Sequence, residues 1–369
     1  MYEVNNKGKE IVFWGAGIQG ENALKKYRKK HNNVEKLIGF LDSKKKGDYM
    51  GYPILSIDSV NREDTTVVIT VGQSKAIVEI FHLLKEYNFK HIYWFIDFEN
   101  ETSEDFLVRE CLNCELWKEP IMPQVEMHVA DFCNLNCKGC AHFSPIFEKK
   151  LPDTNKRLED VRLLKSKFSH ILKFYLLGGE PFVNPEIDIY LTEIRKILPD
   201  TMIQIVTNGL LIPKLSESTF KVIRDNKIII SISEYEPTHR MIEKIESVLM
   251  AHQIMYSVRP YSTKDKFIKP LSLSEHSKYP NKCISNGCVN IWDGKISRCP
   301  TLMYIDKFNS VFNSSLPNNG IYSLAEIATE DILSLTQKEV PLCKHCIDYE
   351  IDWSRCGTVP NIYDFTVDE

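Results

Sequence analysis

The chain has 369 residues, with 46 Lys and Arg against 50 Asp and Glu, a formal net charge of −4, and 43% hydrophobic and 26% charged side chains. This is ordinary globular composition, sufficient for two or three domains, and it excludes collagen-like, disordered and small disulfide-scaffold classes. The charge balance provides no basic field to hold a nucleic-acid backbone, so nucleic acid is disfavoured as a partner. The opening MYEVNNKGKE lacks an apolar secretory segment and no run approaches membrane-spanning length, so the expectation is a cytoplasmic protein with no membrane partner. The 11 cysteines are an odd number and they cluster. In a reducing compartment such thiols bind metal or do redox work more often than they form disulfides.

In chain order, IVFWG (11–15) reads as a buried strand that runs into Gly15-Ala16-Gly17-Ile18-Gln19-Gly20. A helix pattern follows from about Glu21 to Lys30, then a strand, LIGFLD, ending at Asp42. A strand at Val67–Val71, a helix near Ser74–Tyr87 and a strand at His91–Phe95 complete a small Rossmann-like parallel α/β domain over residues 1–100. Gly15, Gly17 and Gly20 between strand and helix, with Asp42 at the next strand end, satisfy the dinucleotide fingerprint: phosphate on the helix N-terminus, the carboxylate on a ribose. Residues 101–123, closing on Pro120 and Pro123, read as a linker whose Cys111 and Cys114 have no chemical role.

A second series begins at Val125, where Val125, Met127 and Val129 alternate with Glu126, His128 and Ala130 as in a half-buried strand. Leu158, Val161, Leu164, Phe168 and Ile171 recur at helical spacing, and FYLLGGEP (174–181) is a strand ending in a glycine pair. Helix, strand IQIVTNG (203–209), helix, strand IIISIS (228–233), helix and strand MYSVRPY (255–261) follow. The series predicts a partial (β/α)6 TIM-type barrel over residues 124–270, with chemistry at the C-terminal strand ends. From 271 to 369 the chain is rich in Ser, Asn and Pro and carries six cysteines, which predicts a small metal-stabilised domain.

Cys133, Cys137 and Cys140 fall in a loop just after the first barrel strand. Structural zinc takes four ligands, usually as two separated pairs; an iron–sulfur cubane held by three thiolates leaves one iron open. A zinc knuckle completed by His142 is the alternative. Cys-x3-Cys-x2-Cys followed by Gly178-Gly179-Glu180-Pro181 at the next strand end resembles the radical S-adenosylmethionine superfamily. The resemblance implies a [4Fe-4S] cluster on Cys133, Cys137 and Cys140. It implies that the open iron chelates S-adenosylmethionine and that reductive cleavage gives a hydrogen-abstracting 5′-deoxyadenosyl radical. By position, Gly178, Gly179, Glu180 and Pro181 match the segment that receives the methionyl amino group. Thr207, Asn208 and Gly209 match the third-strand element near the cofactor, and Ser233 and Glu234 match the fourth-strand end. Relatives often carry an aromatic residue where this chain has Gly139, so adenine would be met by backbone or by Phe132, His142 or Phe143. Arg259 and Glu234 are the candidate catalytic residues, Arg259 as a binder of carboxylate, hydroxyl or phosphate.

Cys283, Gly294, Cys299, Cys343 and Cys346 resemble the auxiliary-cluster extension called SPASM, or its shorter twitch form. The resemblance implies one auxiliary [4Fe-4S] cluster, with Cys288 as an alternative to Cys283 and with Cys356 departing from the full pattern. A zinc ribbon is the alternative. The N-terminal domain resembles nucleotide-binding modules on bacterial sugar-modifying enzymes, which implies a nucleotide or nucleotide-sugar ligand. The expected activity is dehydrogenation, with epimerisation second, of a small-molecule substrate such as a sugar or nucleotide sugar. Electrons would come from a reductase such as flavodoxin or ferredoxin. Peptide modification and a non-enzymatic, zinc-stapled nucleotide-binding protein stand as alternatives.

Overall fold

The computed structural model describes residues 8–29, 36–97, 107, 111–115, 117–261, 267–276, 283 and 289–367. They divide into two compact units, Met1–Pro123 and Gln124–Glu369.

The first unit is built on strands β1 (Glu10–Trp14), β2 (Lys36–Leu41), β3 (Gly47–Tyr49), β4 (Tyr52–Ile54), β5 (Thr65–Ile69), β6 (His91–Phe95) and β7 (Cys111–Asn113). Its sheet order is β3-β4-β2-β1-β5-β6-β7, and β2, β1, β5 and β6 run parallel. Helices α1 (Ile18–Arg28) and α2 (Ser74–Glu86) make two of the crossovers. The central strands are continuous apolar runs because both their faces are covered. Ile11, Phe13, Phe40, Val68, Tyr93 and Phe95 close one core with Ala23 and Leu24 of α1. The expected linker is part of this fold: β7 lies antiparallel on β6 with Cys111 opposite Phe95, and Cys114 is fully buried. A three-residue strand edged by Asn113 carries too little periodicity to be read from sequence.

In the second unit, β8 (Ile121–Ala130), β9 (His170–Gly178), β10 (Met202–Thr207), β11 (Ile229–Ser233) and β12 (Tyr256–Arg259) alternate with α3 (Thr154–Lys167), α4 (Ile187–Ile197), α5 (Glu217–Asp225), α6 (Glu236–His239) and α7 (Ile242–Ala251). Asp153 and Ser216 accept backbone N–H bonds at the starts of α3 and α5, as N-cap residues do. Leu158, Val161 and Leu164 on α3 and Ile187, Tyr190, Leu191 and Ile194 on α4 are buried, each aliphatic side chain contributing about 1.5–3 kcal/mol by leaving water.

The sheet departs from the expected boundary at 270. Its order is β12-β11-β10-β9-β8-β14-β15-β16, where β14 is Val289–Trp292, β15 is Lys295–Ser297 and β16 is Ile321–Ser323. Strand β14 pairs parallel with β8, Val289 beside Val125 and Ile291 beside Met127, and covers an edge that would otherwise stand unpaired. Strand β13 (Phe267–Ser272), which straddles the expected boundary at 270, joins a separate three-stranded sheet between β17 (Cys346–Ile351) and β18 (Thr366–Val367). Helices α8 (Pro300–Met303) and α9 (Ile305–Phe312) pack Leu302, Tyr304, Ile305 and Phe308 into one core with Phe143, Leu271 and Phe365. No helix among the described residues is long and apolar enough to cross a membrane.

Candidate radical-cofactor site

The three loop cysteines sit where β8, β9 and β10 end. Gly179 N–H donates to the Ala130 carbonyl at 2.8 Å and Glu180 N–H to the Phe132 carbonyl at 3.1 Å, so the glycine pair is laced to the chain that leads into Cys133. A Cβ on Gly178 would stand 1.9 Å from the Ala130 oxygen, and one on Gly179 would stand 2.1 Å from the Phe132 oxygen. Two bare backbones are therefore required here, before any ligand is considered. Glu180 is fully buried and accepts from Thr207 Oγ1 at 2.7 Å, Asn208 N at 2.9 Å and Phe182 N at 3.2 Å. Burial pushes its carboxyl up to about 7 despite those three donors. Pro181 opens the 3-10 turn that follows, and Asn184 Nδ2 donates to the Val129 carbonyl at 2.6 Å. Asn208 reaches across the site, with Nδ2 2.7 Å from Asn134 Oδ1 and 3.8 Å from Cys133 Sγ.

The sulfurs are placed as acceptors. Leu135 N–H donates to Cys133 Sγ at 3.3 Å and Trp353 Nε1–H to Cys137 Sγ at 3.1 Å. Burial pushes the Cys133 thiol up to about 12, with Glu180 and Cys140 adding to the rise, and raises Cys137 and Cys140 as well. Three thiols within electrostatic reach of one another, one buried and two half-buried, with N–H donors aimed at sulfur, fit a cluster-bound thiolate set. Among the described residues no three His, Cys, Asp or Glu side chains already surround one point as they would a single metal ion. His142, the proposed fourth ligand of a zinc knuckle, is engaged instead: its Nδ1 lies 2.8 Å from His128 Nε2.

Gly139 has a physical reason for its departure from the aromatic seen in relatives. Its φ is +68°, and a Cβ would stand 2.8 Å from the Ile268 carbonyl of β13. The proposed aromatic substitutes are not equivalent: Phe143 is fully buried in the α8–α9 core and His142 is tied to His128, whereas Phe132 stays half-buried beside the glycine pair. Of the two candidate catalytic residues, Glu234 has both oxygens occupied, by Tyr261 N–H at 2.6 Å and His239 Nδ1 at 2.6 Å, and so works as a brace for the turn after β11. Arg259 is exposed at the end of β12, in register with half-buried Ser233.

The remaining cysteines divide into two sets. Cys299 feels Cys283 and Cys343, and Cys346 feels Cys299, Cys343 and Cys283; burial is the main cause that raises both thiols, Cys299 to about 12. Cys356, expected among the auxiliary candidates, instead lies within reach of Cys140 and Cys137. Cys288 lies outside the described residues. Sequence reasoning also missed a buried polar network beside the loop. His128 Nδ1 bonds Asp131 Oδ1 at 2.9 Å, Trp292 Nε1–H donates to the same oxygen at 3.1 Å, Arg157 meets Asp131 at 3.5 Å and Asp293 at 2.7 Å, and Tyr304 stacks on His128 at 4.3 Å. Burial lowers His128, so it is a neutral ring that donates to Asp131. Asp131, Arg157, Trp292 and Asp293 also line a polar cavity of about 840 Å³ with Glu186 and Lys307.

In the first unit, Gly15 has φ +122° and Gly20 abuts the Gly15 carbonyl, whereas Gly17 at the start of α1 faces open space. Both Asp42 oxygens are engaged by backbone donors of the neighbouring loops. Its Oδ2 accepts from Ala16 N at 2.9 Å and its Oδ1 from Lys44 N at 2.8 Å and Lys45 N at 2.9 Å. Burial opposes its ionisation, but those backbone donors hold the carboxyl below its ordinary range. Lys45 Nζ bonds the Ala16 carbonyl, and Tyr49 OH donates to the Gly17 carbonyl at 3.1 Å.

Residues 127–257 match the sequence model of the Radical SAM superfamily. The chain carries a radical SAM domain. Solved structures similar to the chain include anSMEcpe with bound AdoMet, at 22% identity over 38% of this chain and 42% of that one, TM-score 0.31. BtrN in complex with AdoMet and 2-DOIA is similar at 15% identity over 62% of this chain and 98% of that one, TM-score 0.40. SuiB of Streptococcus suis bound to S-adenosylmethionine is similar at 18% identity over 38% and 33%, TM-score 0.30. The chain spans less than half the length of the first of these. No curated protein matches it.

Proposed function

We propose that the protein is a radical SAM enzyme that oxidises a small polar substrate, a sugar or nucleotide sugar, at a C–H beside a hydroxyl, with epimerisation as the second outcome. One observation carries the reading: three thiols on one loop, Cys137 buried and Cys133 and Cys140 half-buried, with N–H donors aimed at two of their sulfurs, laced to the ends of β9 and β10 by Gly179, Glu180 and Asn208. Cys133, Cys137 and Cys140 would hold a [4Fe-4S] cluster, and Gly178–Pro181, Thr207, Asn208 and Ser233 would meet S-adenosylmethionine. When bound, these groups supply one-electron cleavage and hydrogen-atom abstraction. The chain fixes geometry. Glu180 locks two strand ends together, Asn208 holds Asn134 beside Cys133, and exposed Arg259 is available to an anionic or hydroxylated substrate. Cys283, Cys299, Cys343 and Cys346 would hold one auxiliary [4Fe-4S] cluster as the acceptor of the substrate's second electron, with a flavodoxin or ferredoxin as donor to the first cluster. The open Gly17 turn of the first unit would take a nucleotide or nucleotide sugar.

The test is anaerobic reduction of reconstituted protein with S-adenosylmethionine and candidate nucleotide sugars, following 5′-deoxyadenosine by mass spectrometry. A substrate-dependent burst is expected, with one substrate oxidised per cofactor cleaved; epimerisation would instead leave solvent deuterium on carbon. Cys137→Ala should give none. Protein that holds zinc and no labile sulfide would overturn the reading.

A further inference from the structure

The segment from Trp353 to Asp364 closes over the cysteine loop. Arg355 forms an antiparallel bridge with Cys137. Lys138 N–H donates to the Ser354 carbonyl at 2.9 Å, Cys356 N–H to the Asn136 carbonyl at 2.8 Å and Gly139 N–H to the Asp364 carbonyl at 2.7 Å. Lys138 Nζ adds an ion pair to buried Asp364 at 3.2 Å. These bonds are mostly backbone to backbone, so they set register whatever the side chains are. In that register one side chain reaches a ligand sulfur: Trp353 Nε1 lies 3.1 Å from Cys137 Sγ. The indole is held by Tyr235, which stacks on it at 6.2 Å and 30° and in turn meets Phe267 edge-on at 5.9 Å. An indole N–H is a donor only, and among the described side chains it is the aromatic donor aimed at the loop sulfurs.

We propose that Trp353 is a positioning residue that sets the reduction potential of the cluster on Cys133, Cys137 and Cys140 through its N–H···S bond to Cys137. The inference rests on the functional reading above. Reduction by one electron adds negative charge that the cluster shares with its thiolate ligands. A donor on a ligand sulfur therefore stabilises the reduced form more than the oxidised form and raises the potential. Cleavage of the sulfonium needs that electron, so a higher potential would bring the cluster within range of a biological donor.

Trp353→Phe keeps the ring and its stacking but removes the donor. In a Cys343→Ser background that silences the auxiliary set, the variant should load iron and sulfide as the parent does. At a poise equal to the parent's midpoint, its ratio of reduced to oxidised cluster, read by electron paramagnetic resonance, should fall about tenfold, a downward shift of about 59 mV for a one-electron couple. Arg355→Ala, which leaves the indole and the backbone bonds in place, should not move it. An unchanged ratio in fully loaded Trp353→Phe overturns the inference. Should that variant not load, parent protein labelled with nitrogen-15 in its indoles decides: hyperfine coupling to the reduced cluster supports the bond, and its absence overturns it. Parent protein that binds no cluster at all refutes the functional reading instead, so the two failures are distinct.

Discussion

Gly179 shows how narrow the tolerance is at the strand ends. Its missing Cβ is the space in which the Phe132 carbonyl lies, 2.1 Å from where a methyl would stand, and the chain on the other side is the approach to Cys133. Neither backbone can shift without moving the loop. Gly179→Ala is therefore expected to cost several kcal/mol, on the order of 3–5, and to leave the reconstituted protein short of about half its iron, measured by urea unfolding and iron assay. His170 gives a separate, pH-dependent case far from the loop cysteines in sequence. It is buried at the start of β9, and burial drives it down to about 4, with Lys165 adding to the fall and Asp200 opposing it. Because the folded value lies below the unfolded 6.5, the unfolded chain takes up the proton first as pH falls. Stability from a neutral His170 is complete above pH 6.5 and is lost as the pH drops toward 4, by about 3 kcal/mol at most. His170→Phe should flatten that part of the pH profile of the urea midpoint; a slope identical to the parent's would show that other groups set it.

At the scale of elements, the five β/α units were legible because each strand is a short apolar run and each helix repeats apolar residues at helical spacing, as Leu158, Val161 and Leu164 do. The cysteine loop was legible because thiol spacing carries chemistry regardless of fold. Strand β14 was not. Val289-Asn290-Ile291-Trp292 is four residues long, and nothing within it announces pairing with β8, more than 150 residues earlier. The same holds for Trp353, whose role exists only because Arg355 bridges to Cys137, and for Asp42, whose motif position is correct while its oxygens are taken by its own loop. Long-range register is a tertiary property, and a local pattern cannot encode it. Strand β14 makes the point testable. Ile291 is fully buried beside Met127, so Ile291→Ala should cost about 2–5 kcal/mol as transfer and cavity losses add. A loss under 1 kcal/mol in urea unfolding would mean that β14 is a loosely attached edge and not part of the core that supports the loop.

At the scale of the whole molecule, the cysteines described within Gln124–Glu369 fall into two groups. One set is Cys133, Cys137 and Cys140, with Cys356 nearby; the other is Cys283, Cys299, Cys343 and Cys346. The placement of Cys356 near Cys140 and Cys137 narrows the auxiliary candidates read from sequence and leaves Cys288 as the alternative to Cys283. Four thiols complete a cubane, and three leave one iron open to another ligand. Reconstituted protein should then hold about eight irons, and Cys346→Ser should lower this to about four while leaving uncoupled cleavage of S-adenosylmethionine under strong chemical reduction. Cys356→Ser should keep all the iron, because its sulfur completes neither set. The decisive comparison is between the last two variants. If Cys356→Ser loses four irons and Cys346→Ser loses none, the auxiliary cluster is not built on the Cys343–Cys346 turn. If Cys356→Ser instead keeps the iron and the cleavage of S-adenosylmethionine but loses the deuterium-labelled product, its thiol acts after cleavage, and hydrogen return to a substrate radical, hence epimerisation, becomes the preferred outcome over dehydrogenation.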